Sequence, residues 1–138
     1  MTSLLIVDDE PDILETTRWA FETVGYQVYT AGTAEEGLQL FETSRPQLLL
    51  IDYKLPAMSG ADLLKAARAI DPTIPAIMIT GLTHQSEAIE AECQRLGTFR
   101  FLKKPLKMSE VLQIVKEAVC QRISSSQPRS LDAPPIDS

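Results

Sequence analysis

Two rhythms of apolar and polar positions alternate along the 138-residue chain, short aliphatic runs separated by longer stretches in which apolar residues recur every three or four positions. The runs Ser3 to Asp8 (SLLIVD) and Gln47 to Asp52 (QLLLID) both end in acid and have the composition of strands covered on both faces. Gln27 to Ala31, Ile74 to Thr80 and Phe99 to Lys103 complete the strand candidates. Pro75 is tolerated there, because a missing donor matters least at a strand's first residues. Helical spacing fills the gaps. In Asp12 to Val24, Ile13, Leu14, Thr17, Ala20, Phe21 and Val24 share one face, and Gly25 ends the helix. A second helix opens with the capping pattern Thr33-Ala34-Glu35-Glu36 and carries Leu38, Leu40 and Phe41, with Gly37 weakening it. Ser59 to Ile70 and Gln85 to Leu96 supply the third and fourth. Ser109 to Ile123 is the fifth, its Val111, Leu112, Val115, Ala118 and Val119 forming a core-facing stripe. Strands alternating with helices in this way predict an α/β fold, a parallel sheet with helices on its faces.

An apolar content of 44% over this length supports one core, and hence one domain, over residues 1–123. Beyond Ile123 the segment SSSQPRSLDAPPIDS has too few apolar residues to offset its ordering entropy, so residues 124–138 are expected to be a flexible tail or a severed linker. A net charge of −6 leaves no global basic surface, which argues against direct nucleic-acid binding. Cys93 and Cys120 lie in helical stretches without metal-ligand or redox spacing and read as inert thiols suited to a cytoplasm. No basic leader or cleavage site precedes the first strand, and no window approaches the length of a membrane span, so a cytoplasmic protein that does not engage a membrane is expected.

The polar residues then change the picture. Asp8 and Asp9 end the first strand, Asp52 the third, Thr80 the fourth and Lys104 the fifth. All are carboxyl ends, which a parallel sheet gathers along the edge where ligands bind. Taken singly, each has an ordinary role: Asp9 or Asp12 would cap the first helix, Thr80 would be a strand residue and Lys104 a surface cation. Their coincidence at one edge is what such roles leave unexplained. Clustered carboxylates 4 Å apart repel by roughly 4 kcal/mol per pair at an effective dielectric of 20, so a cation is expected among them. Hard oxygen ligands select Mg²⁺ or Mn²⁺, and together with Lys104 such an ion would neutralise charge developing in phosphoryl transfer.

The motifs VDDEPD (Val7 to Asp12), DYKLPAMSG (Asp52 to Gly60), TG (Thr80, Gly81) and KP (Lys104, Pro105), in this order and spacing, resemble the response-regulator receiver domains of bacterial two-component systems. The resemblance covers Leu4 to about Ile123. It implies a flavodoxin-like, doubly wound sheet of five strands in the order 2-1-3-4-5, and a signalling switch rather than an enzyme. It also implies that Asp52 accepts a phosphoryl group from a sensor histidine kinase or histidine phosphotransfer protein. Asp9, Asp52 and the backbone carbonyl of Lys54 would ligate Mg²⁺ directly, and Asp8 mainly through water. Lys104 would pair with the phosphoryl oxygens and Thr80 would hydrogen-bond them. Phe101 would be the aromatic switch residue, and the Lys104-Pro105 bond would be cis. The responding surface, residues 84–123, would bind a downstream protein or a second copy. Leu106 stands where the family often has Phe. Lys54 and Leu82 occupy positions that influence water access and leave the phosphoryl lifetime open. Lys103 reads as a solvated cation, and His84, the only histidine, as a cap or loop residue.

Three alternative readings compete with this one. A haloacid-dehalogenase-type phosphohydrolase needs an acid two residues after its nucleophile, where this chain has Lys54. A nucleotide-binding module wants a glycine-rich first turn, where this chain has Asp8-Asp9-Glu10. A pseudo-receiver that only dimerises would ignore Mg²⁺ and phosphodonors.

Overall fold

The computed structural model describes residues 2–81 and 86–126. Within them, β1 (Ser3–Val7), β2 (Gln27–Ala31), β3 (Leu48–Asp52), β4 (Ala76–Thr80) and β5 (Arg100–Lys103) alternate with α1 (Pro11–Thr23), α2 (Ala34–Ser44), α3 (Gly60–Ile70), α4 (Ser86–Arg95) and α5 (Met108–Ser126). The strands form one parallel sheet in the order β2-β1-β3-β4-β5, the doubly wound, flavodoxin-like arrangement that was expected.

Period-two alternation divides the strand side chains between two cores. Leu5, Val7, Leu49, Ile51, Ala76 and Met78 pack with Phe41 of α2, Leu63 and Leu64 of α3, and Ile89 and Cys93 of α4. Leu4, Ile6, Leu48, Leu50, Ile77 and Ile79 pack with Phe21 of α1 and Val111, Val115 and Ala118 of α5. Both faces are covered, which is why the central strands carry unbroken aliphatic runs.

Where boundaries differ from expectation, the cause is local. β4 starts at Ala76 rather than Ile74, because Pro75 has no N–H for the ladder; its carbonyl still accepts from Leu49 N–H at 3.0 Å. α1 starts at Pro11, whose fixed φ suits a first helical residue, and its N-cap Glu10 makes no side-chain cap bond, so neither Asp9 nor Asp12 caps it. In α2, Thr33 Oγ1 accepts from Glu36 N–H at 3.1 Å, while the Glu36 carboxylate accepts from Gly32 N–H at 2.9 Å, one residue ahead of the N-cap. α5 continues to Ser126, past the composition change at Ile123, since serine costs a helix only a few tenths of a kcal/mol per residue. The rest of the expected tail, residues 127–138, lies outside the described residues, as do Leu82 and His84.

Two glycines bring helices close to the sheet. A Cβ on Gly37 would sit 2.9 Å from Val7 Cγ2, so the residue read as a weakness in α2 permits its close approach to β1. A Cβ on Gly60, the first residue of α3, would sit 2.5 Å from the Asp52 carbonyl oxygen and 2.9 Å from Tyr53 Cα. Backbone cannot yield as a side chain can. Gly60→Ala is therefore expected to cost about 2 kcal/mol in urea unfolding. Gly37→Ala should cost less, because its clash is with a side chain and about 1 kcal/mol of helix propensity is recovered.

Candidate functional site

Strand register sets the site out as a staircase. Val7 is level with Ile51, so Asp8 is level with Asp52; Asp52 is level with Ile79, and Thr80 with Lys103, one residue before Lys104. Asp8 N–H donates to Ala31 O at 3.1 Å, and the Asp8 Oδ1 accepts from Glu10 N–H at 2.9 Å, turning the chain into α1. Asp52 Oδ1 accepts from Lys54 N–H at 3.1 Å. On either side of Tyr53, its N–H donates to Ile79 O and its carbonyl accepts from Gly60 N–H, both at 2.7 Å, which folds the β3–α3 loop back over the strand end. Within that loop Ala57 takes the left-handed conformation, φ 66°, which is costly for a residue with a Cβ.

Lys104 joins these pieces. Its N–H donates to Thr80 O at 2.7 Å, the peptide bond to Pro105 is cis, and its Nζ lies 3.0 Å from Asp52 Oδ2, 3.3 Å from Asp8 Oδ2 and 3.5 Å from Glu10 Oε1. Asp8, Asp52 and Thr80 are buried, at 2%, 4% and 1% exposure, whereas Asp9 is exposed. The Thr80 hydroxyl donates to the Gly81 carbonyl at 3.3 Å. An open cavity of about 420 Å³ lies over Asp52, lined by Asp9, Glu10, Lys54, Leu55, Pro56, Gly81 and Lys104.

Carboxylate oxygens of Asp8, Asp9 and Asp52 all fall within 4.8 Å of one another. One ammonium cannot balance them, and an all-oxygen donor set beside a cavity matches a hard divalent cation. The electrostatics agree. Burial lifts the Asp8 carboxyl above the ordinary carboxylate range; the Glu10 N–H opposes this, the Asp52 charge adds to it, Lys104 opposes it, and burial prevails. Burial alone would lower the Lys104 ammonium, but the hydrogen bond and charge of Asp52, with Asp8 behind them, raise it above its usual value.

Asp8, Asp9, Asp52, Thr80 and Lys104 thus meet at one edge, and Lys54 reaches it through its backbone N–H while its side chain stays exposed. Phe101 stands one step away on β5, level with Met78 and half-buried against the α2–α3–α4 core. Lys103 is exposed, Cys93 is buried and Cys120 is exposed. Burial pushes the Cys93 thiol up to about 11, which keeps it protonated and unreactive. Next to the site lies one pairing between distant segments. The Tyr53 hydroxyl donates to Glu92 Oε1 at 2.7 Å across 39 residues of chain, a pairing that no local pattern announces.

The family described as response regulator receiver domain matches residues 4–116. Response regulator SaeR of Staphylococcus epidermidis is 37% identical over 112 residues, which cover 81% of this chain and 48% of that protein. Transcriptional regulatory protein KdpE of Mycobacterium tuberculosis is 33% identical over 137 residues, 99% of this chain and 58% of that protein. The chain therefore spans about half the length of these relatives. Among solved structures, a CheY-like receiver domain protein from Methanospirillum hungatei aligns with a TM-score of 0.84 at 32% identity, covering 91% of this chain and 99% of that one.

A buried acid with a raised pKa penalises the fold once it is ionised. In metal-free buffer, Asp8→Asn is expected to stabilise the protein at pH 7 by on the order of 1 kcal/mol. The folded state holds the Asp8 proton more tightly than the unfolded chain, whose value is near 3.8. The variant's advantage should therefore shrink as pH falls through the raised folded-state pKa, and vanish below 3.8. Urea unfolding of both proteins with a chelator between pH 3 and 8 measures this; an advantage that grows on acidification would contradict it.

Proposed function

Because the chain belongs to the response regulator receiver domain family, the phosphorylation switches of two-component signalling, we propose that Asp52 is its phosphoacceptor. The donor is a phosphohistidine on a sensor histidine kinase or a histidine phosphotransfer protein. What carries this reading is the setting of Asp52: a buried carboxylate at a strand end, open to a cavity, 3.0 Å from an ammonium and within 4.8 Å of two further acids. Its two oxygens are held apart in role, Oδ1 by Lys54 N–H and Oδ2 by Lys104. In the transfer, an Asp52 oxygen bonds to phosphorus as the phosphorus–nitrogen bond breaks, and the imidazole leaves with the electron pair. Asp8, Asp9 and Asp52, with the Lys54 carbonyl, would hold Mg²⁺ or Mn²⁺, and the bound ion would supply charge to offset the carboxylates and the phosphoryl oxygens. Lys104 exchanges part of its carboxylate pairing for the phosphoryl oxygens, so the charge that holds the free site together also stabilises the product.

The Thr80 hydroxyl, which among the described residues donates to Gly81 O at 3.3 Å, is the group that turns to the phosphoryl oxygens. Phe101, on β5 two residues before the one level with Thr80, transmits the change to the α4–β5–α5 surface, residues 84–123, which binds a downstream protein or a second copy. Moving such a surface almost completely between two states takes about 5.5 kcal/mol, and partner binding supplies whatever phosphorylation does not. The receiver unit runs through the end of α5 at Ser126, three residues past the boundary that composition suggested. It acts in the cytoplasm as a switch rather than an enzyme. It has no direct contact with nucleic acid, in keeping with a net charge of −6. No helix among the described residues is long and apolar enough to cross a membrane.

Intact-mass spectrometry after incubation with a small-molecule phosphodonor and Mg²⁺ tests the chemistry. One phosphoryl group is expected on the wild type, and none on Asp52→Asn or with EDTA. No gain under conditions that modify a control receiver would instead indicate a pseudo-receiver. Phe101→Ala is expected to keep the modification while losing phosphorylation-dependent binding or dimerisation; unchanged binding would remove Phe101 from the switch.

A further inference from the structure

Helix α4 is lightly anchored. Among the described residues it buries only Ile89 and Cys93, one turn apart on a single face. Its C-terminal end is clamped from α3: the Arg68 guanidinium donates to the carbonyls of Leu96, Gly97 and Ile74. Between these attachments lies the bond from the Tyr53 hydroxyl to Glu92 Oε1 at 2.7 Å, half-buried and charge-assisted. It is the described side-chain bond that runs from α4 to the β3–α3 loop.

Tyr53 is the residue after Asp52. Its N–H is held by Ile79 O, one residue from Thr80, and its carbonyl by Gly60 N–H at the start of α3. The backbone of this residue is thus fixed to the strand end that carries the site, while its ring, with only two side-chain torsions, reaches α4.

We infer that Tyr53 is a positioning residue that ties α4 to Asp52 through Glu92, a route to the α4 surface separate from Thr80 and Phe101. The inference rests on Asp52 being the phosphoacceptor. When a phosphoryl group draws Lys104 and Thr80 inward, the peptide between Asp52 and Tyr53 shifts with them. The rigid ring then carries that shift to the middle of α4, where two buried side chains offer little resistance.

Hydrogen exchange of the α4 amides, with and without phosphorylation of the full chain, tests this. Wild type is expected to show a phosphorylation-dependent change in α4. Tyr53→Phe and Glu92→Ala should each reduce that change at least threefold, with Asp52 still phosphorylated by intact mass. The double variant should be no worse than either single one. Glu92→Gln, whose amide oxygen still accepts from the hydroxyl, should retain most of it. A merely structural bond would alter exchange equally in both states and leave the difference intact, and that result overturns the inference. If wild type takes no phosphoryl group, the phosphoacceptor reading falls and this inference falls with it; a phosphorylated wild type whose α4 difference is kept in full by Tyr53→Phe and Glu92→Ala overturns the inference alone.

Discussion

A single ammonium shared among acids from two chain segments is what the edge of this molecule depends on. Lys104 Nζ sits within 3.5 Å of Asp8, Glu10 and Asp52, and its own N–H is fixed to Thr80 O, so one residue links the ends of β1, β3, β4 and β5. The balance is incomplete by construction. Asp8 remains raised despite its ion pair, because the return from one shared cation does not cover the cost of burying the carboxylate. A cluster of carboxylates left short of positive charge favours a further cation among them.

The sheet makes this economical. In a parallel sheet, each strand delivers its last side chain to the same edge, and the register here steps from Asp8 through Asp52 and Thr80 to Lys104. Rigid hydrogen-bonded strands therefore position groups that lie far apart in the chain. The loops contribute backbone N–H groups, from Glu10 and Lys54, each returning to the carboxylate two residues earlier.

Much of this was legible in the sequence, for a definite reason. Aliphatic runs that end in Asp8, Asp52 and Thr80 announce both a doubly covered strand and its chemical end, so fold and site share one signal. Boundaries were less legible where backbone chemistry decided them, as at Pro75, or where a helix ran on through serines to Ser126. Gly37 was read by its propensity, although its meaning lies in the 2.9 Å approach to Val7. Tyr53 stood in the sequence as a member of the DYKLPAMSG motif, but nothing there paired it with Glu92. An aromatic residue and a surface acid on separate elements become partners only when the chain has folded, and periodicity describes one element at a time.

The division of the strands' side chains into two cores has a consequence for how the protein can vary. Alternate residues of a strand answer to different packing requirements: Leu4, Ile6, Leu48 and Leu50 to α1 and α5, Leu5, Val7, Leu49 and Ile51 to α2, α3 and α4. Distant sites with no shared partners contribute to stability independently. A substitution in a strand is therefore felt first by the helices on its own face, at Leu50 by α1 and α5 and at Ile51 by α2, α3 and α4, so neighbouring positions of one strand are constrained by different partners.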